Sequence, residues 1–423
     1  MSVPTPHAAH DQHDIAIFCN DMPGNRAARR QAAADKRRRE RRASAKAGAP
    51  PATSKLSMDA LEPRVLLNAD TLAVQLASIP HDVQSHDILI QMVQETATAG
   101  AKAQALQQVQ VIDKSNGGAV LAVGPLAEFS AISIDARGTA STVSFDLDSF
   151  GATAAPSVSV QGNGLTALVI DHAGGKIDWH VNGDGTGSAM GNGAAISFTG
   201  VATVGGSGAD VLHGPTADTT WQVTGAGSGT LAANAGGRIT AFTGFHALDG
   251  AANNDDSFLL HPGASVAGGI VGGAGGYDTV GYEGGSYASL VSAPTGPQSG
   301  LLTADGVTTV YAGMEPVTST AVVANLTLKL NGSGGQATLT NAPGSTTMLQ
   351  LSDPGFMETD IFAAPTGTLT IDLGSGGNKT LTLSGIDGRF ISGLSIQTEG
   401  TGDTVTVNTG LTTNGHAVSI AAD

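Results

Sequence analysis

Apolar residues in the second half of this chain recur at every other position, in short runs separated by glycine. In TLTIDLGSGGNKTLTLSG, Leu369, Ile371 and Leu373 alternate with Thr370 and Asp372, and Leu381 and Leu383 follow beyond a Gly-rich turn. A period of two places these five residues on one face of extended strands and the threonines on the other. The same pattern shapes NLTLKLNGSGGQATLT from Asn325 and LSIQTEGTGDTVTVNTG from Leu394. Upstream, Val143, Phe145 and Leu147 alternate with Ser144, Asp146 and Asp148. Residues 108–112 (QVQVI) and 119–123 (AVLAV) flank Asn116-Gly117, whose tolerance of positive φ predicts a hairpin. Residues 88–94 (ILIQMVQ) fit a strand or a helix.

An internal repeat runs through the middle. WHVNGDGTGSA begins at Trp179 and WQVTGAGSGTL at Trp221; ISFTGVATVGG (196–206) is matched by ITAFTGFHALDG (239–250). The offset is about 42–44 residues, and a worn third copy ends at TTVYAGMEP (308–316). Units of this kind bury an apolar face only against their neighbours. The expected fold is therefore mainly β, a Gly-rich β-solenoid or parallel β-helix-like stack. An antiparallel β-sandwich of hairpins gives a similar pattern and is the alternative.

Each unit closes on a Gly/Asp stretch. GGSGADVLH (205–213) fits the nonapeptide GGxGxDxUx at every fixed position, GGAGGYDTV (272–280) fits with one inserted residue, and DDSF (255–258) is a worn version. In that nonapeptide, glycine turns present carbonyls that share a Ca²⁺ ion with the aspartate. Asp210 and Asp278 are the candidate ligands. The matches stand singly, whereas shared ions need nonapeptides back to back, so a plain turn role competes with Ca²⁺ binding.

Composition narrows the picture. Aromatic residues are 4% and charged residues 13% of the 423 positions, against 40% hydrophobic and 59 glycines, which suits narrow stacked β-layers better than a thick interior. Charge is segregated. Residues 1–64 hold twelve of the twenty Lys and Arg and seven of the thirty-six Asp and Glu, a net +5 against −21 for the remainder. An acidic body of this kind repels nucleic acid. A single cysteine, Cys19, excludes an intramolecular disulfide. No run of apolar residues reaches transmembrane length, and no ordinary signal peptide is visible.

Four segments follow: a disordered basic leader (1–60), a small β-rich module (61–150), Gly/Asp-rich repeats (151–320) and Thr-rich rungs (321–423). The leader contains RAARRQAAADKRRRERRASAK (26–46) without an apolar stripe, so it reads as a solvated tail, a targeting element or a basic patch. His7, His10 and His13 have the spacing of metal ligands but lie in this tail beside Pro4 and Pro6.

Between leader and body lies LEPRVLLNAD (61–70). Leu61, Glu62, Pro63, Arg64, Leu66 and Leu67, with Val65 at the free position, resemble the short motif of LEPR-XLL proteins. That resemblance implies a large, repetitive bacterial exoprotein, adhesin-like or RTX-like, secreted or held at the outer surface of a Gram-negative cell. It implies that the N-terminal region engages export machinery or the cell envelope, and that this chain is the N-terminal part of something longer. The surface ligand, a glycan or another molecule, stays open.

The sequence gives no catalyst. Neither G-x-S-x-G nor G-x-x-x-x-G-K-[ST] occurs; a β-helix polysaccharide-degrading enzyme using Asp255 and Asp256 is the remaining alternative, although no Lys or Arg accompanies that acidic cluster, as a lyase would require. His172, His180, His213, His246 and His261 recur without fixed offsets and are expected at surfaces and turns.

Overall fold

The computed structural model describes residues 70–79, 85–95, 106–332, 334–386, 388 and 390–422. The basic leader, its histidines, Cys19 and the motif at 61–67 lie outside these residues. The described chain is mainly β: strands linked into one sheet, with 3₁₀ turns and no α-helix among the described residues. The segment at 88–94 is strand, part of Ser85–Glu95. The hairpin at Asn116-Gly117 forms as expected, pairing Leu106–Asp113 with Ala119–Pro125 in antiparallel register.

Two kinds of pairing are combined. Within each repeat, neighbouring strands form antiparallel meanders. Asp178–Val181, Gly187–Gly191 and Ala194–His213 make one, and Thr219–Gly225, Ser228–Ala233 and Thr240–Asp249 make its counterpart. The third copy forms another from Ser286–Gly296, Ser299–Ala304 and Val307–Ala312. Between repeats the pairing is parallel. Parallel and antiparallel pairing thus share one sheet: short Gly-containing turns favour local hairpins, while the equal apolar spacing of successive units aligns them side by side.

Parallel register turns the alternation into columns. Leu72, Ile132, Val158 and Ile196 stand side by side on four strands, as do Val74, Ile134, Val160 and Phe198. Trp179, Leu212, Leu248, Ile270 and Tyr311 form another column. In the Thr-rich segment, Leu326, Leu369, Leu394 and Val418 align, beside Leu328, Ile371, Ile396 and Ile420. Leu369, Ile371, Leu373, Leu381 and Leu383 are each fully buried, as their alternation predicts. The buried apolar residues form one continuous cluster from Val74 to Ile396. Strand pairing and the buried apolar cluster continue across both 150/151 and 320/321.

The shared F-T-G of the two Trp repeats has a structural reason. Gly200 and Gly244 both have positive φ, 64° and 74°. They approach the carbonyl oxygens of Gly162 and Gly206 on the adjacent strands so closely that a Cβ would collide at 2.3 and 2.4 Å. Pairing shifts register beside Gly200, so the long strand Ala194–His213 turns from one column to the next at this point. The repeated aromatic residues pack across the layers: the Trp221 and Phe258 rings stack at 5.1 Å, and Trp179 meets Phe245 edge-on at 5.8 Å.

Burial in the middle of a column and at its last strand differs sharply. Ile371 is 0% exposed, whereas Ile420, in the same column, is 51% exposed. Ile371→Ala is expected to cost about 2–5 kcal/mol of stability, and Ile420→Ala well under half of that. Urea-unfolding midpoints of the two variants check the contrast.

Candidate functional site

The residues that the sequence singles out for chemistry are carboxylates at the ends of repeat units. Asp210 lies near the end of the strand Ala194–His213, and the nonapeptide around it is extended strand with a bulge between Gly205 and Asp210. The expected loop of inward carbonyls is replaced by pairing with Thr240–Asp249 on one side and Asp178–Val181 on the other. The Asp210 side chain is fully buried and serves four donors. One oxygen accepts from the Ile177 N–H at 3.0 Å and faces His172 Nε2 at 2.9 Å. The other accepts from Trp179 Nε1 and the Ser207 N–H, both at 3.2 Å.

Asp278 repeats the principle with fewer partners. Its carboxylate accepts the Asp256 N–H at 2.8 Å, and the Asp256 carboxylate in turn accepts the Ala251 N–H at 3.0 Å. Burial pushes both carboxyls up, Asp256 to about 7. The exposed neighbour Asp255 accepts from the Tyr277 N–H at 2.8 Å, so the pair proposed for lyase chemistry is divided between a buried and an exposed position.

Two further acids, outside the nonapeptide matches, act in the same way. Asp353 accepts the Gln336 N–H at 3.1 Å and Asp403 accepts the Lys379 N–H at 2.9 Å. The four donors Ile177, Asp256, Gln336 and Lys379 each lie at, or one residue before, the start of a strand. There the backbone N–H has not yet entered a ladder, and a side-chain oxygen from a nearby strand or turn supplies its acceptor. The available signal was the Gly-x-Gly-Asp run at 400–403. Lys379 is itself buried, its amine donating to the Leu330 carbonyl and sitting 4.9 Å above the Phe356 ring; burial lowers its pKa.

Among the recurring histidines, His172 departs from expectation. Its side chain is fully buried, because the Asp210 carboxylate and the Gly174 carbonyl, 3.0 Å from Nδ1, supply polar partners that let an imidazole leave water. Ser207 Oγ is 2.7 Å from the same Nε2 that faces Asp210. A catalytic triad needs acid and hydroxyl on opposite ring nitrogens. Here they share one, so the group is a clamp between segments 172–179 and 205–213. A similar buried pair joins His86 to Asp113 at 2.7 Å; although burial raises the Asp113 carboxyl, bonds from Ser115 and His86 hold it below the usual range.

The partly exposed histidines gather elsewhere. His180 and His213 stack at 4.4 Å, with Asp178 3.1 Å and Asp249 3.4 Å from the two His213 nitrogens. Lys176 pairs with Asp178 at 2.9 Å. Among the described residues no group of three or more His, Cys, Asp and Glu is placed to hold a metal ion.

Removing Asp210 leaves two backbone N–H groups and an indole without their acceptor and takes the carboxylate away from a buried imidazole. Asp210→Ala is expected to cost about 3–5 kcal/mol. Asp278→Ala, which orphans one N–H, should cost less, and chemical denaturation of the two variants tests the order. No family model, no curated protein and no solved structure matches this chain.

Proposed function

We propose that this chain is a non-enzymatic structural protein of the cell exterior, adhesin-like, built as a β-solenoid-like stack whose outer faces make many weak polar contacts. The observation that carries this reading is a row of outward hydroxyls. Thr359, Ser352, Thr338, Thr382 and Thr406 stand in register on five adjacent strands, each half-buried. Adjacent strands lie about 4.8 Å apart, so the row presents evenly spaced hydroxyls over roughly 19 Å. A second row, Thr327, Thr370, Ser395 and Ser419, repeats the arrangement. The hydroxyls carry no charge, while Lys329 and Asp372 pair in register on the same face as the second row; such a surface suits a regular polar partner, a glycan above all, with affinity built by repetition.

The likeness of 61–67 to the LEPR-XLL motif supports export or retention at the envelope as the role of the N-terminal region. Expressed in a Gram-negative host, the full chain is expected in the medium or the outer-surface fraction. A variant lacking 61–67 should accumulate inside. Equal distribution of the two in cell fractions would remove the motif from the reading.

Calcium is assigned a lesser part, because Asp210 already serves four protein donors. The strand signal in circular dichroism is expected to be the same with chelator and with millimolar Ca²⁺. A signal that forms only with Ca²⁺ would replace this reading with that of an RTX-like module folding after export.

A further inference from the structure

Asparagine is distributed unevenly with respect to the hydroxyl residues. Of the sixteen asparagines in the chain, ten lie in 1–320, and none of those is followed two residues later by serine or threonine. Three of the six in 321–423 are: Asn325-Leu326-Thr327, Asn331-Gly332-Ser333 and Asn378-Lys379-Thr380. Asn-x-Ser/Thr, with any residue but proline in the middle, is the acceptor read by transferases that attach a sugar to a carboxamide. Ser333 lies outside the described residues, so the triplets at 325 and 378 are the two whose surroundings are described.

A triplet serves as an acceptor only where its carboxamide and its hydroxyl are presented together at the surface. Both described triplets meet that condition in the same way. The middle residue is buried: Leu326 is 2% and Lys379 1% exposed. Asn325 and Asn378 are exposed, and Thr327 and Thr380 are half-buried. In Val322–Lys329 this follows from the two-residue period of a strand, which puts Asn325 and Thr327 on one face and Leu326 and Leu328 on the other. Asn378 has φ 57°, a left-handed conformation that asparagine tolerates, in the turn leading into Thr380–Leu383. Space is left beside each. The in-register neighbours of Asn325 on the flanking strands are Ser289 and Thr368, and Gly393 stands beyond Thr368. Asn378 Oδ1 faces Gly402, where a Cβ would approach it to 2.7 Å. The Asn325 carboxamide donates to the Ala288 carbonyl at 3.3 Å. Its nitrogen has two hydrogens, so that bond survives replacement of the other one.

We propose that Asn325 and Asn378 are sites of covalent N-glycosylation, with a nucleotide- or lipid-linked sugar of the producing cell as the donor. In the transfer a bond forms between Nδ2 and the anomeric carbon of the sugar. The bond from that carbon to the donor's phosphate oxygen breaks, the phosphate departs with the electron pair, and the amide nitrogen gives up one proton. Nothing is oxidised or reduced. Such modification goes beyond the proposed exterior role and does not depend on it, because the folded chain presents both triplets wherever it resides.

Glycopeptide mass spectrometry of the full chain, isolated from every fraction of the cells that produce it, is the test. The expected result is a mass gain of one or more sugar residues localised to Asn325 and Asn378. None is expected on Asn341, Asn408 or Asn414, which share the segment but lack the hydroxyl. Thr327→Val and Thr380→Val keep the asparagines and place a strand-forming residue of similar shape beside them. Each is expected to lose the sugar at its own triplet, whereas Thr327→Ser and Thr380→Ser keep it. Unmodified Asn325 and Asn378 in all fractions overturn the proposal. So does sugar that persists in both valine variants, or sugar carried on serine and threonine hydroxyls alone. A chain that carries these sugars yet stays inside the cell would sink the exterior reading and leave this one standing.

Discussion

No unit of this chain can bury its own apolar residues, and the whole architecture follows from that. A strand such as Thr368–Asp372 offers two inward side chains, Leu369 and Ile371, which stand beside their counterparts on the neighbouring strands and are buried in the common apolar cluster. Register is therefore the decisive quantity. A slip of one residue would turn Leu369 outward and Thr370 inward, and the cost would recur at every strand of the column. Equal spacing of apolar residues in successive units makes one register far better than its neighbours.

The polar groups are arranged around the same requirement. A sheet of many strands has many strand starts, and each has an N–H that must find an acceptor. At four of them an aspartate supplies it, and burial then dictates its partners. Asp210, with four donors, is satisfied deep in the core, while Asp256 and Asp278 answer burial by a raised pKa. The pattern that resembles a cation-binding nonapeptide thus has a second physical use, in which backbone N–H groups stand where an ion would.

Much of the fold was legible from alternation alone. The inward set at 369–383, the hairpin at Asn116-Gly117 and the match between the Trp repeats all describe contacts between residues close in sequence or equivalent in position. The antiparallel meanders inside each repeat were harder to read, because Gly-rich turns are compatible with a hairpin or with a turn onto a parallel layer. The site was legible in residue type and not in role. Asp210 stood out in its nonapeptide, but nothing local to it announces that Ile177, thirty-three positions earlier, donates to it, or that His172 is buried by it.

The bond from Ile177 to Asp210 also sets a rule for how such a chain can grow or shrink. Donor and acceptor both fall within one stretch, 177–210, so copying or deleting that stretch as a block carries both ends along. A breakpoint between them would separate that N–H from the acid that receives it. Recombination should therefore be tolerated at the junctions outside such spans and selected against within them, a grammar of permissible seams written by single hydrogen bonds.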